Sequence, residues 1–408
     1  MKKTNISALL LAALLLIQLL CAPVSAVTAE PAADAQADAQ TASDNSAEDA
    51  SAEADSVPED QLLSSREQFS VAAKAALLID LNTNRVVYEQ DADERVYPAS
   101  LTKIMTCLIA LENGNLSDVV TVSESALADL DEDSSVAGLV VGEQMTLENL
   151  LYCMMVVSGN DACNVIAEHV AGSVTDFVRM MNQRAYELGC TNTHFNNPHG
   201  LHDESHYTTA RDLAIITQAA LKSENFRQIV DTYEYKLPDD NMRQNIPKLK
   251  TTNMLIYQSM SNSLYYPRAH GIKTGYTSQA GRCVISEATG DGLDLLGIVC
   301  GAATTVLDSG DLLMENFTEC ARLFDSGFDN YSYLTLMSPL YPVDQVKINN
   351  SAGAEAVAVA PEDEIKVLLP NDYDPDQLKT NIQLNSESVD APVREGDVLG
   401  SATVTYAD

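Results

Sequence analysis

The sequence predicts an α/β (α+β) protein with two folded units: an antiparallel sheet flanked by helices, then a small all-β domain. Three observations lead there. A strand–turn–strand pattern opens the folded part near residue 70, and a predominantly helical stretch follows it. Short strands return after Tyr265, and strands at both ends of one domain pair only if the chain folds back on itself. That makes the sheet antiparallel and the helices an insertion. Beyond Tyr341 only short β-like runs remain, separated by Pro, Gly, Asn and Asp.

Taken in order, residues 1–29 read as a secretory signal. Lys2 and Lys3 precede an apolar run from Ile6 to Leu20, and Val24-Ser25-Ala26 and Val27-Thr28-Ala29 offer cleavage sites. An uncleaved anchor is the competing reading of the same run. Cys21 follows Leu20, where lipid attachment wants a small residue. Residues 30–66 form an acidic linker rich in Ala, Asp, Glu and Ser, which cannot bury enough apolar surface to offset its ordering entropy.

The first folded domain is expected over 67–335. Residues 75–80 and 85–89 flank the turn Asn82-Thr83-Asn84 as a hairpin. Pro98 precedes a helical pattern over 100–111, closed by Asn113-Gly114. Further helices are expected over 146–157, 161–170, 175–188 and 209–222, strands over 271–274, 282–288 and 293–300, and a helix over 309–324. The second domain, 336–408, is expected to hold strands over 343–348, 356–360, 364–369, 382–384 and 398–405, with no amphipathic tail after them.

The formal charge of −35 excludes nucleic acid as a partner, because phosphate binding needs clustered Lys and Arg. Of eight cysteines, none has zinc-ribbon spacing. Cys107, Cys153, Cys163 and Cys320 fall in apolar helical patterns, where cysteine acts as a small buried hydrophobe. His199, His202 and His206 are close in sequence but lack the His-Glu-x-x-His spacing of a helical metal site. No metal and no cofactor is expected.

Chemistry concentrates at Pro98-Ala99-Ser100-Leu101-Thr102-Lys103. A Ser and a Lys three apart share one helical face, and a neutral lysine amine can take the hydroxyl proton. Ser100 also lies at a helix start, where free N–H groups favour a developing oxyanion. Alone, Ser-x-x-Lys reads as a capping serine and a solvated lysine. Two later motifs change that: Ser158-Gly159-Asn160 between two helices, and Lys273-Thr274-Gly275, followed by Tyr276, ending a strand. In this order the three form the signature of β-lactamases and penicillin-binding proteins.

These segments resemble the low-molecular-mass penicillin-binding proteins, the serine D-Ala-D-Ala carboxypeptidases. Asn197-Pro198-His199-Gly200-Leu201 and the run from His206 to Leu213 match the same family, over roughly residues 70–333. The resemblance extends weakly to Val393-Arg394-Glu395-Gly396-Asp397 in the terminal module. It implies a β-lactamase/transpeptidase-like domain that removes the terminal D-alanine of peptidoglycan stem peptides and is acylated by β-lactam antibiotics. In that family's scheme Ser100 is the nucleophile, Lys103 its base, Ser158 a proton relay and Asn160 an orienting group. Lys273 adds positive charge near Ser158 and the substrate's terminal carboxylate, the Thr274 hydroxyl hydrogen-bonds that carboxylate, Gly275 belongs to the binding strand, and the N–H groups of Ser100 and Tyr276 form the oxyanion hole.

One departure stands out. Some relatives carry an Arg in the loop after the strand following Lys-Thr-Gly, but this chain has no Lys or Arg from Gly301 to Ala321. Carboxylate recognition is then left to Lys273, Thr274 and Arg282. Three other functions compete with this reading. A β-lactamase needs a second base to activate water, typically a Glu near an Asn on a loop before Lys-Thr-Gly, and the one Glu between Cys190 and Thr209 is Glu204, without such a partner. A D,D-endopeptidase would use the same machinery in a differently shaped cleft. A non-catalytic wall-binding protein is disfavoured by three intact motifs. The implied location is outside the cytoplasmic membrane, either secreted or associated with the membrane surface through an uncleaved N-terminal segment.

Overall fold

The computed structural model describes residues 2–9 and 69–406, apart from 129, 131–133, 260, 308–309 and 311. The chain divides into two compact units, one of residues 70–334 and 368–373, the other of 1–69, 335–367 and 374–408.

The first unit is built on a five-stranded antiparallel sheet. Its strands are β1 (Ala75–Asp80), β2 (Arg85–Gln90), β3 (Ala269–Thr277), β4 (Gly281–Gly290) and β5 (Leu293–Ala302), in the order β2-β1-β5-β4-β3. The expected hairpin and the return of the chain are both present. Between β2 and β3 lie α1 (Lys103–Asn113), α2 (Glu124–Ala128), α3 (Leu147–Val156), α4 (Asn160–Ala171), α5 (Val174–Glu187), α6 (Ala210–Leu221) and α7 (Glu224–Val230). The sixteen-residue α8 (Glu315–Asn330) follows β5.

Strand periodicity explains the layering. Leu77, Ile79, Leu296 and Ile298 join the core shared with the helical insertion. Their neighbours Leu78 and Leu295 face the other way, against α8. With both faces covered, β1 is buried over its whole length and reads as a continuous apolar run. Helix α1 is buried over its first eight residues and forms the axis of the helical layer.

Two helix starts differ from expectation. The first helix begins at Lys103, preceded by a 3-10 turn over Ala99–Thr102. Helix α8 starts at Glu315 because Thr304–Val306 and Leu312–Met314 pair as a small hairpin, whose second strand falls within the helix expected over 309–324. Helices α2 and α7 are too short for a periodic signal.

In the second unit a six-stranded sheet runs Leu378–Leu384, Val398–Tyr406, Lys2–Leu9, Ala356–Pro361, Asp344–Asn349, Ser388–Asp390. Its core includes Val346, Val357, Val359, Ile365, Ala402 and Val404. Lys2–Leu9 pairs antiparallel with both neighbours, a strand that the reading of residues 1–29 did not anticipate. Residues 10–29 and the acidic linker lie outside the described residues. No helix among the described residues is long and apolar enough to cross a membrane.

Candidate active site

The three motifs, far apart in sequence, converge on one cleft of about 340 Å³. Ser100, Ser158, Asn160, Thr274, Gly275 and Tyr276 all line it. A second cavity, of about 390 Å³ around Arg227, His270 and Glu287, contains none of the motif residues.

Ser100 sits in the 3-10 turn rather than in the helix proper. Ala99 before it has φ +48°, a left-handed conformation uncommon for a residue with a Cβ. The turn is closed by Leu101 N–H to Pro98 O at 3.1 Å. It is held on its far side by Thr102, whose hydroxyl donates to Ala99 O at 2.9 Å. Thr102 Oγ1 in turn meets His206 Nε2 at 2.8 Å. Because Asn196 N–H donates to His206 Nδ1, the ring proton lies on Nε2 and is donated to Thr102. Burial draws His206 down to about 4, so it remains neutral.

Lys103 opens α1 and is 0% exposed. Its Nζ lies 2.9 Å from Ser100 Oγ, 2.7 Å from Asn160 Oδ1 and 2.7 Å from His199 O. Three acceptors saturate an ammonium; in the neutral amine the Ser100 hydroxyl becomes the donor. Burial lowers Lys103 to about 8, with Cys163 and Asp161 pulling the other way. A lysine poised there can exchange a proton with a serine hydroxyl near neutral pH.

The segment Asn197-Pro198-His199-Gly200-Leu201 presents the His199 carbonyl to Lys103. Asn197 Oδ1 accepts from Gly200 N–H at 2.7 Å, and Thr106 donates to Pro198 O at 2.6 Å. Gly200 has φ +91°, and a Cβ there would lie 1.8 Å from Ala99 O. Only glycine satisfies both conditions. His199 is buried and drawn down to about 3 by burial, then by Lys103 and His206. His202 is exposed and packs edge-on against Tyr97. None of the three histidines is held by the others.

Ser158 occupies the turn between α3 and α4 at φ +62°, the second strained non-glycine residue of the cleft. Its hydroxyl makes no hydrogen bond among the described residues. Asn160 follows as the first residue of α4, with its N–H donating to Ser135 O at 2.8 Å. The next residue, Asp161, accepts from the N–H groups of Ala137 and Leu139 and so pins the loop that brings Ser134 and Ser135 to the cleft rim.

Strand β3 is the sheet's edge, and it lies against the serine turn. A Cβ on Gly275 would stand 3.0 Å from Ser100 N and 3.0 Å from Pro98 O, which is why that position tolerates no side chain. The free edge beyond β3 can take an extended peptide as a further strand. Thr274 Oγ1 meets Thr252 Oγ1 at 2.6 Å. Lys273 is 1% exposed, donates to Thr274 O at 3.0 Å and lies within electrostatic reach of Lys103. Burial and then the Lys103 charge hold it well below the lysine range.

Sequence reasoning missed Ser134, Ser135, Thr252 and Asn316. The first three reach the cleft from loop segments without a motif, and Asn316 from the first turn of α8. Glu204 is exposed and lies outside the cleft lining. The cysteines 107, 153, 163, 190, 283, 300 and 320 are free and buried.

A helical insertion in an antiparallel sheet, with a serine beside a lowered lysine and an edge strand across from it, defines a serine acyl-enzyme hydrolase. Residues 62–304 match the family model of the S11 peptidases, the D-alanyl-D-alanine carboxypeptidases, and residues 337–408 match the C-terminal domain of penicillin-binding protein 5. The chain is 34% identical over 337 residues to D-alanyl-D-alanine carboxypeptidase DacF of Bacillus subtilis, covering 81% of this chain and 80% of that protein. Against DacC of Escherichia coli it is 30% identical over 348 residues, covering 81% and 80%. Among solved structures, penicillin-binding protein 5 from Haemophilus influenzae aligns with TM-score 0.63 and 28% identity, over 83% of this chain and 94% of that one. The chain belongs to the S11 D-alanyl-D-alanine carboxypeptidase family and is a serine-type carboxypeptidase.

Proposed function

We propose that Ser100 attacks the carbonyl between two terminal D-alanines of peptidoglycan stem peptides. The observation that carries this is the 2.9 Å approach of Lys103 Nζ to Ser100 Oγ, with Asn160 and the His199 carbonyl fixing the amine. Neutral Lys103 takes the Ser100 proton as the Oγ–C bond forms. The N–H groups of Ser100 and Tyr276 hold the oxyanion. As the C–N bond breaks, the proton returns through Ser158 to the leaving D-alanine amine, and Asn160 keeps Lys103 and the substrate amide in line. Water then cleaves the acyl-enzyme. The Lys273-Thr274-Gly275 strand, continued by Tyr276, seats the peptide, with Thr274 donating to its carboxylate.

A β-lactam carries a strained amide in place of the scissile bond, so it acylates Ser100 and leaves slowly. No carboxylate among the described residues lines the cleft to activate water for a quick second step.

The organisation that goes with this function is a signal over 1–29, a linker over 30–66, a catalytic domain over 67–335 and a β domain over 336–408. The basic start and apolar run of residues 1–29 support export, to a secreted or membrane-surface location at the cell wall. N-terminal sequencing of the mature protein tests this.

The function is tested with diacetyl-L-Lys-D-Ala-D-Ala. The purified protein is expected to release one equivalent of D-alanine per peptide, and Ser100→Ala none. Release from wild type and variant alike, or from neither, would refute the assignment.

A further inference from the structure

A peptide lying along β3 as a further strand pairs only one of its edges there. The carbonyls and N–H groups of its other edge turn to the helical side of the cleft. Buried against that side, each carbonyl needs a donor. Ser158, Asn160 and His199 line the cleft from the helical insertion. Asn160 Oδ1 is taken by Lys103, which leaves that side chain its amide N–H groups. The imidazole of His199 is the group that the reaction scheme leaves unused, since only the main-chain carbonyl of that residue holds Lys103.

Its setting fixes what that ring can do. His199 is 8% exposed and lines the cleft. Leu201 N–H donates to Nδ1 at 3.2 Å, so the proton of the neutral ring sits on Nε2. Burial, then Lys103 and His206, keep the ring neutral at ordinary pH. Nε2 makes no hydrogen bond among the described residues. Nor is it one of the sealed, unsatisfied atoms of the interior, so it opens into the cleft. The imidazole is anchored at one nitrogen and offers an N–H at the other. With Nδ1 occupied and Nε2 protonated, it has no free lone pair and acts as a donor rather than as a base.

We infer that His199 is a substrate-binding residue: its Nε2–H donates to a backbone carbonyl of the stem peptide, on the edge turned away from β3. The inference rests on the carboxypeptidase reading and adds to it the group that clamps the peptide from the helical side. Leu201 sets the tautomer and the ring position before the peptide arrives, so little entropy is lost when the donor engages. The residue thus contributes twice, its carbonyl to the lysine base and its imidazole to the substrate.

The test separates the two ring nitrogens. His199→Asn keeps an acceptor near Nδ1 for the Leu201 N–H and removes the Nε2 donor. His199→Gln carries an amide N–H out towards the Nε2 position and loses the acceptor. With diacetyl-L-Lys-D-Ala-D-Ala, His199→Asn is expected to lower kcat/KM about tenfold, the cost of one carbonyl left unpaired, and His199→Gln to recover most of that loss. An equal fall in both, a greater fall in His199→Gln, or a fall in neither overturns the inference, because the imidazole then braces its loop at most. So does a His199→Asn protein that hydrolyses the peptide normally but sheds its penicillin adduct slowly, which would give the N–H to water instead. Should either variant lack a cooperative thermal melt, the unsubstituted histidine decides. In Ser100→Ala carrying isotope-labelled histidine, the His199 Nε2 proton is expected to move downfield in the magnetic resonance spectrum when the peptide saturates the site, and an unmoved signal overturns the inference. If wild type itself releases no D-alanine, the carboxypeptidase reading fails first. An active wild type with the contrary pattern in the variants removes only His199.

Discussion

His206 donates its Nε2 proton to Thr102 over 2.8 Å, and the Thr102 hydroxyl donates on to the carbonyl of Ala99, the residue before Ser100. A neutral, buried imidazole thereby braces the turn that carries the nucleophile. The bracing works only while the ring stays uncharged, because Nδ1 accepts the Asn196 N–H and cannot also hold a proton.

Stability is expected to fall in mild acid. His206 is held at about 4 and His199 at about 3, both below the unfolded value of 6.5. The unfolded chain therefore binds protons first. The stability from these residues is complete above pH 6.5 and drains away below it, down to about 4 for His206 and about 3 for His199. At about 1.4 kcal/mol per unit, His206 alone accounts for roughly 3 kcal/mol. Urea unfolding at pH 7.5 and 4.5 measures the loss, and His206→Asn should flatten it. An equal slope in wild type and variant would show that the histidine is not responsible.

Acylation should accelerate with pH. The reactive form of Lys103 is the neutral amine, and its value near 8 leaves about one molecule in ten ready at pH 7. The second-order rate with benzylpenicillin is expected to rise about tenfold per unit up to that value and then level off. Lys103→Arg, which cannot lose its proton, should drop the rate by at least about a thousandfold. A flat profile between pH 6 and 9 would exclude Lys103 as the base.

Gly200→Ala should be far more damaging than Gly172→Ala. Both glycines have positive φ, but a Cβ at 172 meets nothing within 4 Å, whereas at 200 it would press on Ala99 O at 1.8 Å. Gly172→Ala is expected to lose about 1 kcal/mol, from backbone strain alone. Gly200→Ala must push the serine turn aside and is expected to lose more than about 3 kcal/mol together with acylation. Thermal melts and acylation rates of the pair provide the comparison, and similar losses would contradict the steric account.

Much of this site was legible because its chemistry sits in short contiguous motifs, each at a boundary that leaves its own local mark. Asn113-Gly114 closes the first helix, the turn at Ser158-Gly159 separates two helical patterns, and an apolar run leads into Lys273. The hairpin of β1 and β2 was legible from its turn residues. What escaped were contacts made by tertiary approach. Thr252 meets Thr274 across a loop, and Asn316 enters on α8, whose start was displaced by the apolar hairpin before it. Lys273 is buried; the burial of a strand position depends on which elements cover that side of the strand, and no spacing of residues states that.

The central claim is a slow acyl-enzyme on Ser100, and intact-mass analysis after adding benzylpenicillin tests it most directly. The account predicts a persistent adduct of one drug mass that is absent in Ser100→Ala. Rapid drug turnover with only a fleeting adduct would make the protein a β-lactamase. A protein that neither gains mass nor consumes the drug would contradict the catalytic account altogether.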